Sequence, residues 1–466
     1  MKFLGIDVEM KNRPELDHSF IPLGLFMENY LKGAAKPLSF ALFRNRGQVS
    51  VFDTFIHGTP EMHKADLYYA ERLCKTLLWE RGGGKIVVYG DNEIAAYLKD
   101  LYSENGARAF DRAFMSGVYD TDFTVESAAL SEKAEPMEKT SSAGGNWDGC
   151  RIGFDAGGSD RKVSAVVDGK PVYSEEVVWH PKTQEDPDYH FSGILEAMVT
   201  AASKMPRVDA IGVSSAGIYI DNKTLAASLF LKVPKKLFDE KVKDIYTRAA
   251  KEFGDVPLVV ANDGDVTALA GAMELGEGRV LGIAMGTSEA AGYIDTDMGI
   301  TGWLNELAFV PVDCAPDAMM DEWSGDRGCG VKYFSQDGII KLAGFAGINL
   351  EAYNSLAQKL KAVQTLMDSG DSRAESVYRS LGVYLGHTIP LYARFYDIRH
   401  VLLLGRVMSG DGGELIINEA QRVLHEEYHT LADIIRLSLP DESSRRIGQS
   451  VAAASLPQLI EKSDKQ

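Results

Sequence analysis

The stretch Arg151-Ile-Gly-Phe-Asp-Ala-Gly-Gly-Ser-Asp160 constrains the fold of this chain more than any other. It reads as a buried apolar strand ending on Asp155, a tight turn at Gly157-Gly158 carrying the Ser159 hydroxyl, and a return strand over residues 162–167. Glycine in such a turn lets backbone N–H groups close around an anion, and an acidic side chain at a strand end can hold a hydrated cation. The pattern predicts a hairpin that binds phosphate and Mg²⁺. It begins a third of the way along the chain, so a substantial segment precedes it.

With 466 residues the chain is too long for one ordinary core, and two or three domains are expected. A net charge of -18 argues against nucleic acid or an anionic membrane as partner, since both need a basic footprint. It leaves ATP open, because local amides and Mg²⁺ offset a global acidic field. The N-terminal apolar run is broken by Asp7, which does not read as a secretory signal, and no run of 18 apolar residues suggests a membrane span. Cys74, Cys150, Cys314 and Cys329 are scattered without a CxxC pair, as expected of a reduced, cytoplasmic protein.

Residues 131–149 are polar, rich in small residues and free of apolar periodicity, which predicts a linker. Before it, strands are expected at 2–8, 38–44 and 49–55. A helix over 61–81 follows, stopped by Gly82-Gly83-Gly84, then a strand at 85–89 and a helix at 93–102. After it the order recurs, with strands near 153–154, 163–167 and 172–178, a helix at 191–205 and a strand at 210–214. A further round starts with strands at 280–286, 291–295 and 309–312, then helices at 350–367 and 374–392 and a strand at 400–404. The expected division is an N-terminal α/β domain over 1–130, a linker over 131–149, one lobe over 150–275 and a second over 276–466. The first strand ends in Asp7 but lacks a glycine turn, so 1–130 reads as a degenerate third module or a domain of other role.

Gly286-Thr287-Ser288, between two apolar strands, is a second turn suited to phosphate. Between the two turns, Leu258-Val-Val-Ala-Asn-Asp263-Gly-Asp265 runs an apolar strand into two carboxylates and a helix. A carboxylate at a strand end beside phosphates can take the proton of an attacking hydroxyl, and phosphoryl transfer asks for little more than that base, positioning and charge neutralisation. The competing reading is that Asp263 or Asp265 caps the helix.

In this order, the motifs from about 151 to 460 resemble the ROK family of sugar kinases and repressors. The resemblance implies an α/β, actin-like ATPase (RNase H-like) fold with two lobes around a cleft, here with an additional N-terminal module. Asp155-Ala-Gly-Gly-Ser159 resembles the first phosphate motif, Asn262-Asp263 the pair holding the catalytic base, and Gly286-Thr287 the second phosphate motif. The segment Asn305 to Asp313 resembles the sugar-contacting stretch, and Gly325-Asp-Arg-Gly-Cys329 the cysteine-rich one. Val401-Leu-Leu-Leu-Gly405 and the segment 447–454 resemble the adenosine loop and the closing helix. The family's zinc ligands, one His and three Cys, correspond here to Phe309, Glu322, Ser324 and Cys329. One thiol does not hold zinc, so no zinc is expected. A sugar-contacting Glu is replaced by Val331, Leu404-Gly405-Arg406 replaces a glycine cluster, and Ser159-Asp160-Arg161 stands where Thr and Lys are usual.

The resemblance implies an ATP- and Mg²⁺-dependent kinase acting on a hydroxyl of a sugar or sugar-like molecule. Asp263 is its base and Asp155 positions Mg²⁺ through water. Gly157, Gly158, Ser159, Gly286, Thr287, Ser288 and Gly405 hold the nucleotide, and Asn262 and Glu306 the substrate. The alternative is a non-catalytic sugar or nucleotide sensor. The expected partner is a small molecule, with neither nucleic acid nor membrane, and the reading leaves a homodimer open. His425-Glu426-Glu427-Tyr428-His429 is a literal HExxH within a helical stretch over 414–435, but no third ligand follows at a suitable spacing; Glu442 alone is conceivable. A surface helix is the expected reading.

Overall fold

The computed structural model describes residues 1–142, 144–440 and 442–459. The chain gathers into two compact units. One comprises Met1–Lys139, Ile283–Ala291 and Trp303–Leu439; the other comprises Thr140–Gly282, Gly292–Gly302 and the described part of 440–466. This grouping differs from the four segments read from the sequence, because residues 1–130 share a unit with 303–439. The reason is a set of buried long-range contacts. Asp17 accepts hydrogen bonds from Lys341 (2.6 Å) and the Tyr384 hydroxyl (2.5 Å). Asp313 accepts from the Ile21 N–H (2.9 Å), and the Arg81 guanidinium lies 3.2 Å from the centre of the Trp303 ring.

In this first unit, a four-stranded sheet has the order Val49–Ile56, Lys36–Phe43, Lys85–Tyr89, Thr124–Ala128. The first two pairings are antiparallel and the last is parallel. Residues 2–8, expected as one strand, form a small hairpin, Lys2–Phe3 with Ile6–Asp7. Leu4 and Gly5 both take positive φ at its tip, the twist a two-residue hairpin turn demands. Helices Leu23–Leu31 and Ala109–Tyr119 and the strand Thr124–Ala128 had no clear signal in the sequence.

The helix His63–Arg81 ends as expected at Gly82 (φ +77°), where a Cβ would fall 1.8 Å from the Tyr119 hydroxyl. Its apolar spacing suggested one buried face, yet every residue from Tyr69 to Arg81 is buried. Its charged face is neutralised inside the protein: Arg72, Lys75 and Arg108 all pair with Asp326 (3.0, 3.1 and 3.0 Å), and Arg108 also with Glu71 (2.6 Å). Burying these charges is tolerable because each is paired, whereas the unpartnered carboxyl of Glu80 on the same helix is pushed well up by burial, toward its neutral form. Further along, His400–Leu404 runs parallel to Arg436–Ser438. Residues 309–312, expected as a strand, are a short 3-10 turn ending at Phe309 followed by isolated bridges.

The second unit holds a five-stranded sheet in the order Lys170–Val178, Asp160–Val167, Cys150–Ala156, Ala210–Ser215, Leu258–Asn262. The first three strands form antiparallel hairpins and the last two continue parallel to Cys150–Ala156. All seven residues of Cys150–Ala156 are buried, as expected for a strand covered on both faces. The helix Pro187–Ala202 contributes Ile194 and Met198 to the core with Phe154, Val213 and Tyr246. The helix Glu442–Ala454 packs against Gly153 and Gly212 so closely that a Cβ on either would lie 1.7 Å from a helix carbonyl oxygen (Ser450 and Ala453). Four buried cysteines are free thiols, and no helix among the described residues is long and apolar enough to cross a membrane.

Candidate functional site

Strand register places the acidic groups of the second unit. Ser214 pairs with Asp155, and Ser215 pairs with both Ala156 and Asn262, so Asp155 and the Asn262-Asp263 corner lie at the carboxyl ends of the two strands that flank Ala210–Ser215 in parallel. Ligands of open α/β sheets bind at such ends. Asp155 is 4% exposed and accepts a hydrogen bond from the Ser214 hydroxyl at 2.8 Å. Burial pushes its carboxyl up to about 6, against the Ser214 hydroxyl, and the charge of Asp263 adds to the rise. Burial likewise raises Asp263, opposed by the Gly264 N–H and the charge of Lys182. A buried carboxylate raised further by the charge of a second buried one, with no ion pair to either among the described residues, is a costly arrangement for a purely structural purpose.

Neither Asp263 nor Asp265 caps the helix Asp263–Leu275. Asn262 does, its Oδ1 accepting from the Gly264 N–H at 2.7 Å while its Nδ2 donates to the Gly217 carbonyl at 2.6 Å. One amide hydrogen of Asn262 is left for a ligand. Asp265 accepts from the Tyr293 N–H (3.2 Å), and Gly292 admits the backbone at Gly264, where a Cβ would meet the Gly264 carbonyl carbon at 2.2 Å.

The Gly157–Ser159 turn is held from its carbonyl side. The Trp179 indole N–H donates to the Gly157 oxygen (2.8 Å) and the Trp179 backbone N–H to the Ser159 oxygen (3.1 Å). Among the described residues, the N–H groups of Gly157, Gly158 and Ser159 donate to no backbone carbonyl, which leaves three donors for an anion. Ser159 donates its hydroxyl to Asp160 (3.0 Å), which also pairs with Lys162 (3.4 Å).

In the first unit, the Gly286 N–H bonds to the Ser288 carbonyl (3.0 Å), making a tight turn whose Thr287 and Ser288 side chains are exposed. The Gly286 carbonyl accepts from the Gln336 N–H (2.9 Å). Gly405 (φ +93°) lies against the strand leading to this turn; a Cβ there would be 2.3 Å from the Met285 oxygen, so only glycine fits. The adjoining Arg406 is exposed. Glu306 is half-buried, with its N–H bound to the Trp79 carbonyl (3.0 Å).

At the four positions where the resemblance places zinc ligands, the donor set does not suit the metal. Phe309 stacks on Trp79 (centroids 4.2 Å, 29°) and contacts Phe110 and Phe114. Glu322 pairs with Lys332, and burial pushes the Cys329 thiol up to about 12. The HExxH motif is split: one helix, Asp411–Glu427, stops before Tyr428 and a separate short one, His429–Ala432, begins after it. The expected continuous helix over 414–435 is therefore broken, and the i, i+4 geometry with it. Glu427 instead accepts from the Asn12 N–H (2.6 Å), and Glu426 pairs with Arg422. The Glu442 side chain lies outside the described residues.

Two residues escaped the sequence reading. Lys182 reaches Gly158 from the short turn Pro181–Thr183, with only its charge as a signal. Glu289, directly after the second turn, is 3% exposed with neither carboxyl oxygen hydrogen-bonded. Its place in an otherwise apolar strand was the available clue.

The ROK family model matches residues 151–451. Similar solved structures include a ROK hexokinase from Thermus thermophilus (TM-score 0.50, 19% identity, 66% of this chain and 97% of that one). Another is a ROK family transcriptional regulator, a homolog of the E. coli MLC protein (TM-score 0.50, 16% identity, 66% and 79%). A third is a ROK family glucokinase from Streptomyces griseus in complex with glucose and AMPPNP (TM-score 0.48, 19% identity, 66% and 98%). No curated protein matches the chain. The family-model match over 151–451 establishes that the chain belongs to the ROK family, and with the five-stranded sheet the likeness to the hexokinase shows the actin-like ATPase fold.

Proposed function

We propose that this protein is a phosphotransferase that uses ATP and Mg²⁺ to phosphorylate a hydroxyl of a sugar or sugar-like small molecule. The observation that carries the reading is the pair of buried carboxylates Asp155 and Asp263, both raised by burial, at the carboxyl ends of the two strands that flank Ala210–Ser215, in the unit that carries the open N–H groups of Gly157–Ser159. Asp263, made more basic by burial, takes the proton of the attacking hydroxyl. Asn262 fixes the corner that presents Asp263 and offers its spare amide hydrogen to the substrate. Asp155 holds hydrated Mg²⁺, and Gly157, Gly158 and Ser159 hold phosphate through their N–H groups. By resemblance, Gly286, Thr287, Ser288 and Gly405 also serve the nucleotide and Glu306 the substrate. ATP supplies the phosphoryl group and Mg²⁺ neutralises its charge.

Phosphorylation of a broad sugar and polyol panel, read through ADP release, tests this. Asp263→Asn should cut turnover at least about 100-fold, the lower range for a general base, with ATP binding kept. Turnover retained in Asp263→Asn would refute the base, and no turnover on any panel member would favour a second reading, a non-catalytic sensor. That reading draws on Phe309, which stacks on Trp79 where the resemblance places a zinc-ligating His, and on Val331, where it places a sugar-contacting Glu.

A further inference from the structure

We infer that Lys182 is the phosphate-binding cation of the Gly157–Ser159 turn and that it recognises a di- or triphosphate chain. The inference rests on the phosphotransferase reading and adds the charge that reading lacks. The turn is electrostatically unfavourable for such a ligand on its own. Asp160 directly follows it and occupies the Ser159 hydroxyl, and Asp155 and Asp263 lie at the carboxyl ends of strands in the same sheet. Of the nearby cations, Arg161 is bound to the Gly193 carbonyl and to Glu196, and Lys162 is paired with Asp160.

Lys182 is the exception among the described residues at this turn. Its side chain is exposed and makes no ion pair or hydrogen bond, yet it lies against the glycine. A Cβ on Gly158 would be 2.7 Å from its Cε and 2.9 Å from its Nζ. The tip of the lysine therefore lies directly over the glycine face. The ammonium also reaches Asp263 electrostatically, so one charge faces both the turn and the proposed base.

The placement is built rather than incidental. Lys182 sits in the short turn Pro181–Thr183. The Pro181 carbonyl is held by His190, 0% exposed, whose Nε2 lies 3.0 Å from it and 3.1 Å from the Leu229 carbonyl. The His190 Nδ1 lies 3.2 Å from the Asp186 carbonyl. Three residues earlier, Trp179 ties the same segment to both ends of the phosphate turn. An anchored lysine loses less freedom on binding than one on a free loop. It supplies a point charge to a phosphate whose oxygens the turn amides also contact.

The test is calorimetric titration of the full chain with inorganic tripolyphosphate, with adenosine as a phosphate-free control. Lys182→Ala should weaken tripolyphosphate binding about tenfold, the scale of one charge-assisted hydrogen bond, and leave adenosine affinity and the melting temperature unchanged. Lys182→Arg should stay within about threefold of the native chain, because the charge is kept. Equal tripolyphosphate affinity in the native chain and Lys182→Ala, or no tripolyphosphate binding by the native chain, would overturn the inference. Lys182-dependent tripolyphosphate binding in a protein that phosphorylates nothing would sink the kinase reading and leave this inference standing.

Discussion

Glu289 offers a quantitative test of how this protein carries buried charge. Burial pushes its carboxyl from 4.5 up to about 8, with Tyr392 opposing and the charge of Glu306 adding to the rise. The folded-state value lies above the unfolded one, so the stability tied to this group is complete below pH 4.5. It is lost as the pH rises, because the unfolded chain ionises first, and the loss is complete once the pH has passed about 8. Each tenfold change in the protonation equilibrium is worth roughly 1.4 kcal/mol, so the full loss is about 5 kcal/mol, of which about 4 falls between pH 5 and pH 8.5. Glu289→Gln keeps the side-chain volume but cannot ionise. Any fixed cost of its buried amide is the same at both pH values and cancels. The assay is urea unfolding of both proteins at pH 5 and pH 8.5, followed by tryptophan fluorescence, with equal m-values required. The variant should gain about 4 kcal/mol on the native protein over that interval. A gain below about 1 kcal/mol would refute the premise that the Glu289 carboxyl is buried without a cationic partner.

Asp326→Ala removes the shared partner of Arg72, Lys75 and Arg108 and leaves buried cations under-neutralised. The expected loss is about 3–5 kcal/mol, or roughly 5–8 °C by thermal melting, and a shift below about 2 °C would contradict the network. Gly212→Ala places a methyl 1.7 Å from the Ala453 oxygen and must push the closing helix off the sheet. Its loss should be about 1–3 kcal/mol in chemical denaturation, whereas Gly344→Ala, with nothing within 4 Å and a helical position, should be neutral or stabilising.

Much of the candidate site is legible in the sequence because each part is local. An apolar run into Asp155, two glycines and a return strand, or an apolar run into Asn262-Asp263 and a helix, specify strand ends and turns within a dozen residues. The strand at 85–89 and the stop at Gly82 follow from the same short-range rules. The cap at Asn262 was missed because the three residues Asn262, Asp263 and Asp265 are all good caps, and only the backbone geometry selects among them. HExxH misled for a related reason: a motif spaced for one helix face says nothing of the break at Tyr428.

The sequence by itself thus determined the hairpin, the acidic strand ends and the family, all written in contiguous patterns of polarity and glycine. Only the tertiary structure decided what lies beside them. Lys182 meets Gly158 across 24 positions of chain, and Asp326 neutralises Arg72 across 254, so neither partner leaves a periodic trace near the other. The burial of residues 69–81 on all faces of the helix His63–Arg81 has the same origin. A charged face reads as solvent-facing until the opposite charges that bury it, supplied by distant segments, are brought into place.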